Sequence, residues 1–88
     1  MTLQFPNPIR SYNEAHRDIT FWGHDTAMEI TFVIERRALE MIGRTPDLDE
    51  KALCETFDQH VDQIHSIAKR LYEDHKTGFY RLTAEHFA

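Results

Sequence analysis

Four polar side chains could do chemistry together. Glu55, Asp58, Asp62 and His65 are spaced 3, 4 and 3, which puts them on one face of a helix. Carboxylates and an imidazole at such spacing can hold a divalent cation. One isolated helix converges too few ligands, and no second histidine lies one turn from His65. The set reads as a solvated acidic face, and no metal is assigned. Asp58 and Asp62 repel each other by only about 0.2–0.5 kcal/mol, a cost that needs no functional explanation.

The other reactive residue types read as structural. His60 flanks an apolar stripe and is expected to be a half-buried boundary residue with one ring nitrogen hydrogen-bonded. His16, His24, His75 and His86 fall in turns or near element ends. Cys54 lies within the stripe, where burial raises a thiol pKa and makes it a small hydrophobe rather than a nucleophile. There is no phosphate loop, nucleophile elbow, dinucleotide fingerprint or zinc-ligand spacing. No catalytic residue and no cofactor is assigned.

The elements that would position these residues are clearer. Cys54, Phe57, Val61, Ile64, Ala68 and Leu71 are spaced 3, 4, 3, 4, 3, one apolar stripe on a helix running to about His75. Leu53, His60 and Ile67 widen it. Its start is capped either by Thr45 with Pro46 at the first position, or by Asp47 with Glu50 returning the bond. At ~1.5 Å per residue the stripe covers roughly 26 Å, the length of an eight-residue strand, so it can lie along a sheet.

Strand signals supply that sheet. Residues 2–5 read as a short edge strand, followed by an extended loop that Pro6 and Pro8 keep from regular pairing through Ser11. Asp18–Trp22 and Ala27–Ile34 alternate with period 2 and form a hairpin about a turn at Gly23-His24-Asp25. Its inward face is Ile19, Phe21, Met28, Ile30, Phe32 and Ile34. Glu35–Ile42 is a short helix stopped by Gly43. Phe79–Thr83 is the last strand, and Thr83–Phe87 starts a terminal turn. The chain is expected to be one α+β domain over residues 1–88. Its antiparallel sheet of three to four strands carries one long and one short helix on one face.

The same alternation defines a second face. Trp22, Thr20, Glu29, Thr31 and Val33 point away from the helices, joined either by Phe79 and Arg81 or by Tyr80 and Leu82. Tryptophan and arginine are enriched at interface hot spots. Trp22, Thr20, Thr31, Val33 and Arg81 are therefore the expected interaction surface. The competing expectation is that an N-terminal arm with Leu3, Phe5 and Ile9 folds back over Trp22.

A formal net charge of -5 opposes non-specific binding to nucleic acid or anionic lipid, which needs a basic surface. A local basic patch of Arg36, Arg37 and Arg44 keeps nucleic acid as the second reading. Cys54 is the only cysteine, which excludes an intrachain disulfide and fits a reducing cytoplasm. No run approaches the roughly 20 apolar residues of a membrane span, and the first residues lack the basic start and apolar run of a secretory signal.

Several blocks together carry a likeness. Phe5-Pro6-Asn7-Pro8, Arg10-Ser11-Tyr12, Ile19-Thr20-Phe21-Trp22-Gly23-His24-Asp25, Met28-Glu29-Ile30 and Gly78-Phe79-Tyr80-Arg81-Leu82 resemble the bacterial domain of unknown function 1488 family over nearly the whole chain. The resemblance implies a small α+β protein of the bacterial cytoplasm and carries over no catalytic residues. The function expected from the residues is a binding or adaptor module acting through protein contacts, with a homodimer among its forms. A nucleic-acid-associated regulator is the alternative, and an enzyme without a recognisable motif comes third.

Overall fold

The structure, a computed structural model, describes residues 3–6, 9–74 and 76–88. Thr2 of the expected first strand, Pro8, and the helix end expected at His75 lie outside the described residues. The fold is α+β. Four strands, β1 (Arg10–Asn13), β2 (Asp18–Asp25), β3 (Met28–Ile34) and β4 (Phe79–Leu82), form a sheet in the order β1-β2-β3-β4. Helices α1 (Arg36–Gly43), α2 (Glu50–Gln59) and α3 (Val61–Asp74) lie between β3 and β4, and a 3₁₀ turn, Ala84–Phe87, ends the chain.

The first two pairings are antiparallel, but β4 runs parallel to β3. The sheet is therefore mixed rather than wholly antiparallel. The cause is the crossover: three helices intervene, and such a long connection can return the chain to the end of the sheet from which β3 started.

β1 occupies part of the stretch expected to be a loop. It starts beyond both prolines and pairs on one side only, so Pro6 and Pro8 do not obstruct it. Asn13 shapes the turn that follows. Its side-chain oxygen accepts from the Ala15 and His16 amides at 2.9 and 3.2 Å, an Asx turn. The expected edge strand at residues 2–5 is reduced to one bridge, Gln4 with His24.

The turn expected at Gly23-His24-Asp25 is displaced. These residues continue β2 and pair with Ile30, Glu29 and Met28. The chain reverses instead at Thr26-Ala27, where Thr26 takes φ 58°. Gly23 serves close approach, not chain reversal. A Cβ there would lie 2.9 Å from both the Leu3 and Phe5 side chains and 3.3 Å from the Gln4 carbonyl. Gly23→Ala is expected to push the arm off the sheet end at a cost of about 1–3 kcal/mol. Thermal melting checks this, together with loss of amide protection at Gln4 and His24, whose backbones exchange bonds of 2.8 and 2.7 Å.

The long helix is broken. His60 has φ −116° and ψ 21° between α2 and α3. Its amide donates to both the Thr56 and Phe57 carbonyls, at 3.1 and 3.2 Å. The break re-phases the stripe: Leu53, Thr56 and Phe57 are buried on α2 and Ile64, Ala68 and Tyr72 on α3. Cys54, Val61 and Leu71 are only half-buried. The cap is Asp49, whose carboxylate accepts from the Ala52 amide at 2.8 Å, not Thr45 or Asp47. On α1 the left-handed residue is Arg44, φ 56°, not Gly43. Gly43 instead lets α1 approach α2, since a Cβ there would meet the Thr56 methyl at 3.0 Å.

The core lies between the helices and one sheet face, with Ile19, Phe21, Ile30, Phe32 and Ile34 buried from the sheet side. Met28, expected in that face, is 54% exposed, because it borders the turn at the sheet's end.

Candidate functional site

The cross-strand register decides which residues share the uncovered face. Thr20 pairs with Val33 and Trp22 with Thr31, and these pair onward with Arg81 and Phe79. All six point to the side opposite the buried set. The alternative of Tyr80 and Leu82 is ruled out, since they pair with the buried Phe32 and Ile34. Thr20, Trp22, Thr31, Val33 and Arg81 are thus brought together as expected. Val33 itself is buried, flanked by Thr20 and Arg81, so it supports the face without offering contact area.

Phe79 joins this face with Arg81, as one of the two alternatives had it, and one further residue completes it that strand alternation did not single out. Arg10 pairs with Phe21, so Ile9, one residue earlier, falls beside Trp22. Ile9, Trp22, Thr31 and Phe79 form a row running across the sheet from edge to edge. Ile9 is 64% exposed and Phe79 50% exposed. A concavity of about 410 Å³ is lined by Ile9, Trp22, His24 and Glu29.

Among the described residues of the N-terminal arm, Leu3 and Phe5 do not cover this row. Leu3 is buried in the core on the helical side. Phe5 stacks on His65, with ring centroids 3.8 Å apart and planes 6° from parallel, and lies 6.0 Å from Phe21. Of the three arm residues expected over Trp22, only Ile9 is on that side.

Charged groups flank the row on both sides. On one side are His24 and Glu29. On the other, Arg81 lies 3.7 Å from Asp18 and 3.6 Å from Glu35. His16, Arg36 and Arg37 line a mixed-charge cavity with those three, about 250 Å³ in volume. The basic patch is split. Arg36 is held by Glu40 at 3.1 Å, while Arg37 and Arg44 line a shallow groove along α1 with Met41.

The carboxylate and imidazole set of the long helix is dispersed. Asp58 receives two hydrogen bonds from Arg10, each 2.8 Å. The guanidinium lowers the Asp58 pKa, first by that hydrogen bonding. His65 turns to Phe5, and burial, with Lys69 nearby, lowers its pKa. Glu55 and Asp62 stay exposed. Cys54 is half-buried, and burial pushes its thiol pKa up. His60 is half-buried with Nδ1 donating to the Thr56 carbonyl at 3.0 Å. A carbonyl only accepts, so the proton belongs on Nδ1.

One polar pair was not foreseen. The Tyr72 hydroxyl on α3 donates to the Asp25 carboxylate at the end of β2, and both side chains are buried. That bond, then burial, pushes the Tyr72 pKa up to about 12. The pair ties α3 to the sheet and opens onto none of the cavities described above.

Among the described residues no helix is long and apolar enough to cross a membrane. The family model described as "Protein of unknown function (DUF1488)" matches residues 3–82. A solved structure, described as a protein of unknown function of that family from Shewanella loihica PV-4, is similar with a TM-score of 0.78 at 18% identity. It covers 91% of this chain and 90% of its own. No curated protein matches.

Proposed function

Since the chain belongs to the domain of unknown function 1488 family, whose description names no activity, we propose that it is a protein-binding or adaptor module. It acts as one domain over residues 1–88 in a bacterial cytoplasm, and its contact surface is the outer sheet face. The observation that carries this reading is the row of Ile9, Trp22, Thr31 and Phe79, whose ends are exposed and which no helix among the described residues covers. Exposed apolar area of that kind usually marks a contact site on a small protein. The partner is a protein, either a second copy or an unlike chain. Nucleic acid comes second: Arg36 and Arg81 are tied to carboxylates, and the net charge is -5. Enzymatic chemistry comes third.

A photo-crosslinking residue placed at Thr31 tests the reading in living cells. It is expected to give protein adducts, while the same residue at exposed Ser66 on α3 gives none. Trp22→Ala should reduce the Thr31 adducts and change the melting curve little. Adducts at Thr31 no more frequent than at Ser66 would refute it.

A further inference from the structure

We propose that the exposed side of α1, from Arg37 through Met41 to Arg44, is a second docking surface, and that its occupant is an acidic protein segment with an apolar side chain between two carboxylates. No residue of the outer sheet face takes part, so this surface goes beyond the protein-contact reading above and does not rest on it.

Two concavities meet along α1. One, of about 430 Å³, is lined by Arg37, Glu40, Met41, Arg44, Pro46 and Ala84 together with Thr45. The other, of about 480 Å³, shares Met41 and Arg44 and continues to His60 and Gln63. Met41, 44% exposed, stands where they join. A surface that continues past both sides of one side chain has room for a length of chain, whereas a single small anion would occupy one side.

The charges select the occupant. Glu40 is already engaged: its carboxylate lies 3.1 Å from the Arg36 guanidinium and accepts from the Leu48 amide at 3.3 Å. Arg37 and Arg44 are exposed, and among the described residues neither side chain forms an ion pair or a hydrogen bond. Asp47 and Glu50 follow in the chain but line neither concavity. Two unpaired guanidiniums therefore stand out on a chain of net charge -5, and their complement is a pair of carboxylates. The two arginines are seven positions apart, roughly 10 Å along α1 at ~1.5 Å per residue. A partner helix presents carboxylates at that distance from positions i and i+7, with an apolar residue between them to meet Met41. Nucleic acid fits less well, because its affinity is built from many phosphate contacts and two free cations supply few.

The backbone of Arg44 points the same way. It is left-handed, with φ 56° and ψ 34°, a conformation that favours glycine and costs other residues. Arg17 is left-handed too, but its guanidinium donates to the Leu48 carbonyl at 2.7 Å. The Arg44 guanidinium makes no such bond to the fold, so the arginine holds an unfavourable position for a contact outside it.

The probe is a dye-labelled helical peptide with glutamates seven positions apart and leucine between them. Fluorescence anisotropy on titration with the full chain is expected to show binding, and the same peptide with lysines for glutamates should bind at least about 5-fold more weakly. Arg37→Glu with Arg44→Glu should reverse that preference, which a merely structural role of the arginines would not do. Arg44→Gly relieves the left-handed backbone and should weaken binding by about 3-fold without lowering the melting temperature. Glutamate and lysine peptides that bind alike would overturn the inference, as would a double variant that keeps the original preference. An Arg44→Gly chain that melts lower yet binds as before would show that Arg44 serves the helix end, with the same consequence. A single-stranded oligonucleotide held more tightly than the peptide, and released by the double variant, would assign the surface to nucleic acid instead. Self-association of the unaltered chain that the double variant abolishes would assign it to a second copy. Either result overturns the acidic-segment reading, and none of these outcomes touches the outer face, which the Thr31 photo-adducts test separately.

Discussion

Ile64→Ala is expected to destabilise the domain by about 2–5 kcal/mol. Ile64 has 0% exposure and belongs to the same buried cluster as Phe21, Phe32 and Phe57. Small domains hold only about 5–15 kcal/mol in total, so the melting temperature should fall by roughly 10 °C or more. The comparison with Leu71→Ala makes the test specific. Both residues lie on the stripe read from sequence, but the break at His60 leaves Leu71 half-buried and puts Tyr72 inside. Leu71→Ala should therefore cost clearly less. Equal losses would mean that α3 keeps the phase of an unbroken helix. A shift of only a degree or two for Ile64→Ala would mean that the stripe faces solvent.

What could be read in advance was what local periodicity determines. Ile19 and Phe21 alternate with Thr20 and Trp22, and a period of two fixes faces once one side is buried. That sufficed to place Thr20, Trp22, Thr31 and Val33 together. It could not add Ile9, nor choose Phe79 with Arg81 over Tyr80 with Leu82, because those places depend on register with β2 and β3, which is a non-local property. The direction of β4 was equally illegible, being set by the three helices that precede it. The break at His60 left no mark in the apolar spacing, since a stripe of 3, 4 steps continues across it; the change is in one residue's backbone angles. Gly23 misled because glycine marks both turns and close approaches. Only the position of Leu3 and Phe5 over it shows which applies. Arg81 was placed correctly but its use was not legible: Asp18 and Glu35 reach it from β2 and from the start of α1. No sequence pattern announces Asp25 with Tyr72, 47 positions apart.

That pair gives the second large expected effect. Asp25 is 4% exposed, and the hydroxyl of Tyr72 donates to its carboxylate. Tyr72→Phe keeps the ring and removes the donor. Leaving a buried acceptor without its donor typically costs about 1–3 kcal/mol, more when the acceptor is charged, and more than an intact bond contributes net. The asymmetry predicts the double variant. Adding Asp25→Asn to Tyr72→Phe removes the stranded charge and should recover part of the lost stability, so the two changes are expected to be non-additive. The pH dependence follows from the direction of the shift. An unfolded tyrosine titrates near ~10, whereas Tyr72 is pushed up to about 12 in the fold. As pH rises through that window the unfolded chain gives up its proton first, so unfolding becomes more favourable. The pair's contribution is thus complete below about pH 10 and disappears as pH rises through about 12. Denaturant melts taken from neutral to alkaline pH should show this loss in the unaltered protein and a shallower one in Tyr72→Phe. Identical alkaline slopes in the two proteins would show that the buried hydroxyl is not held by Asp25.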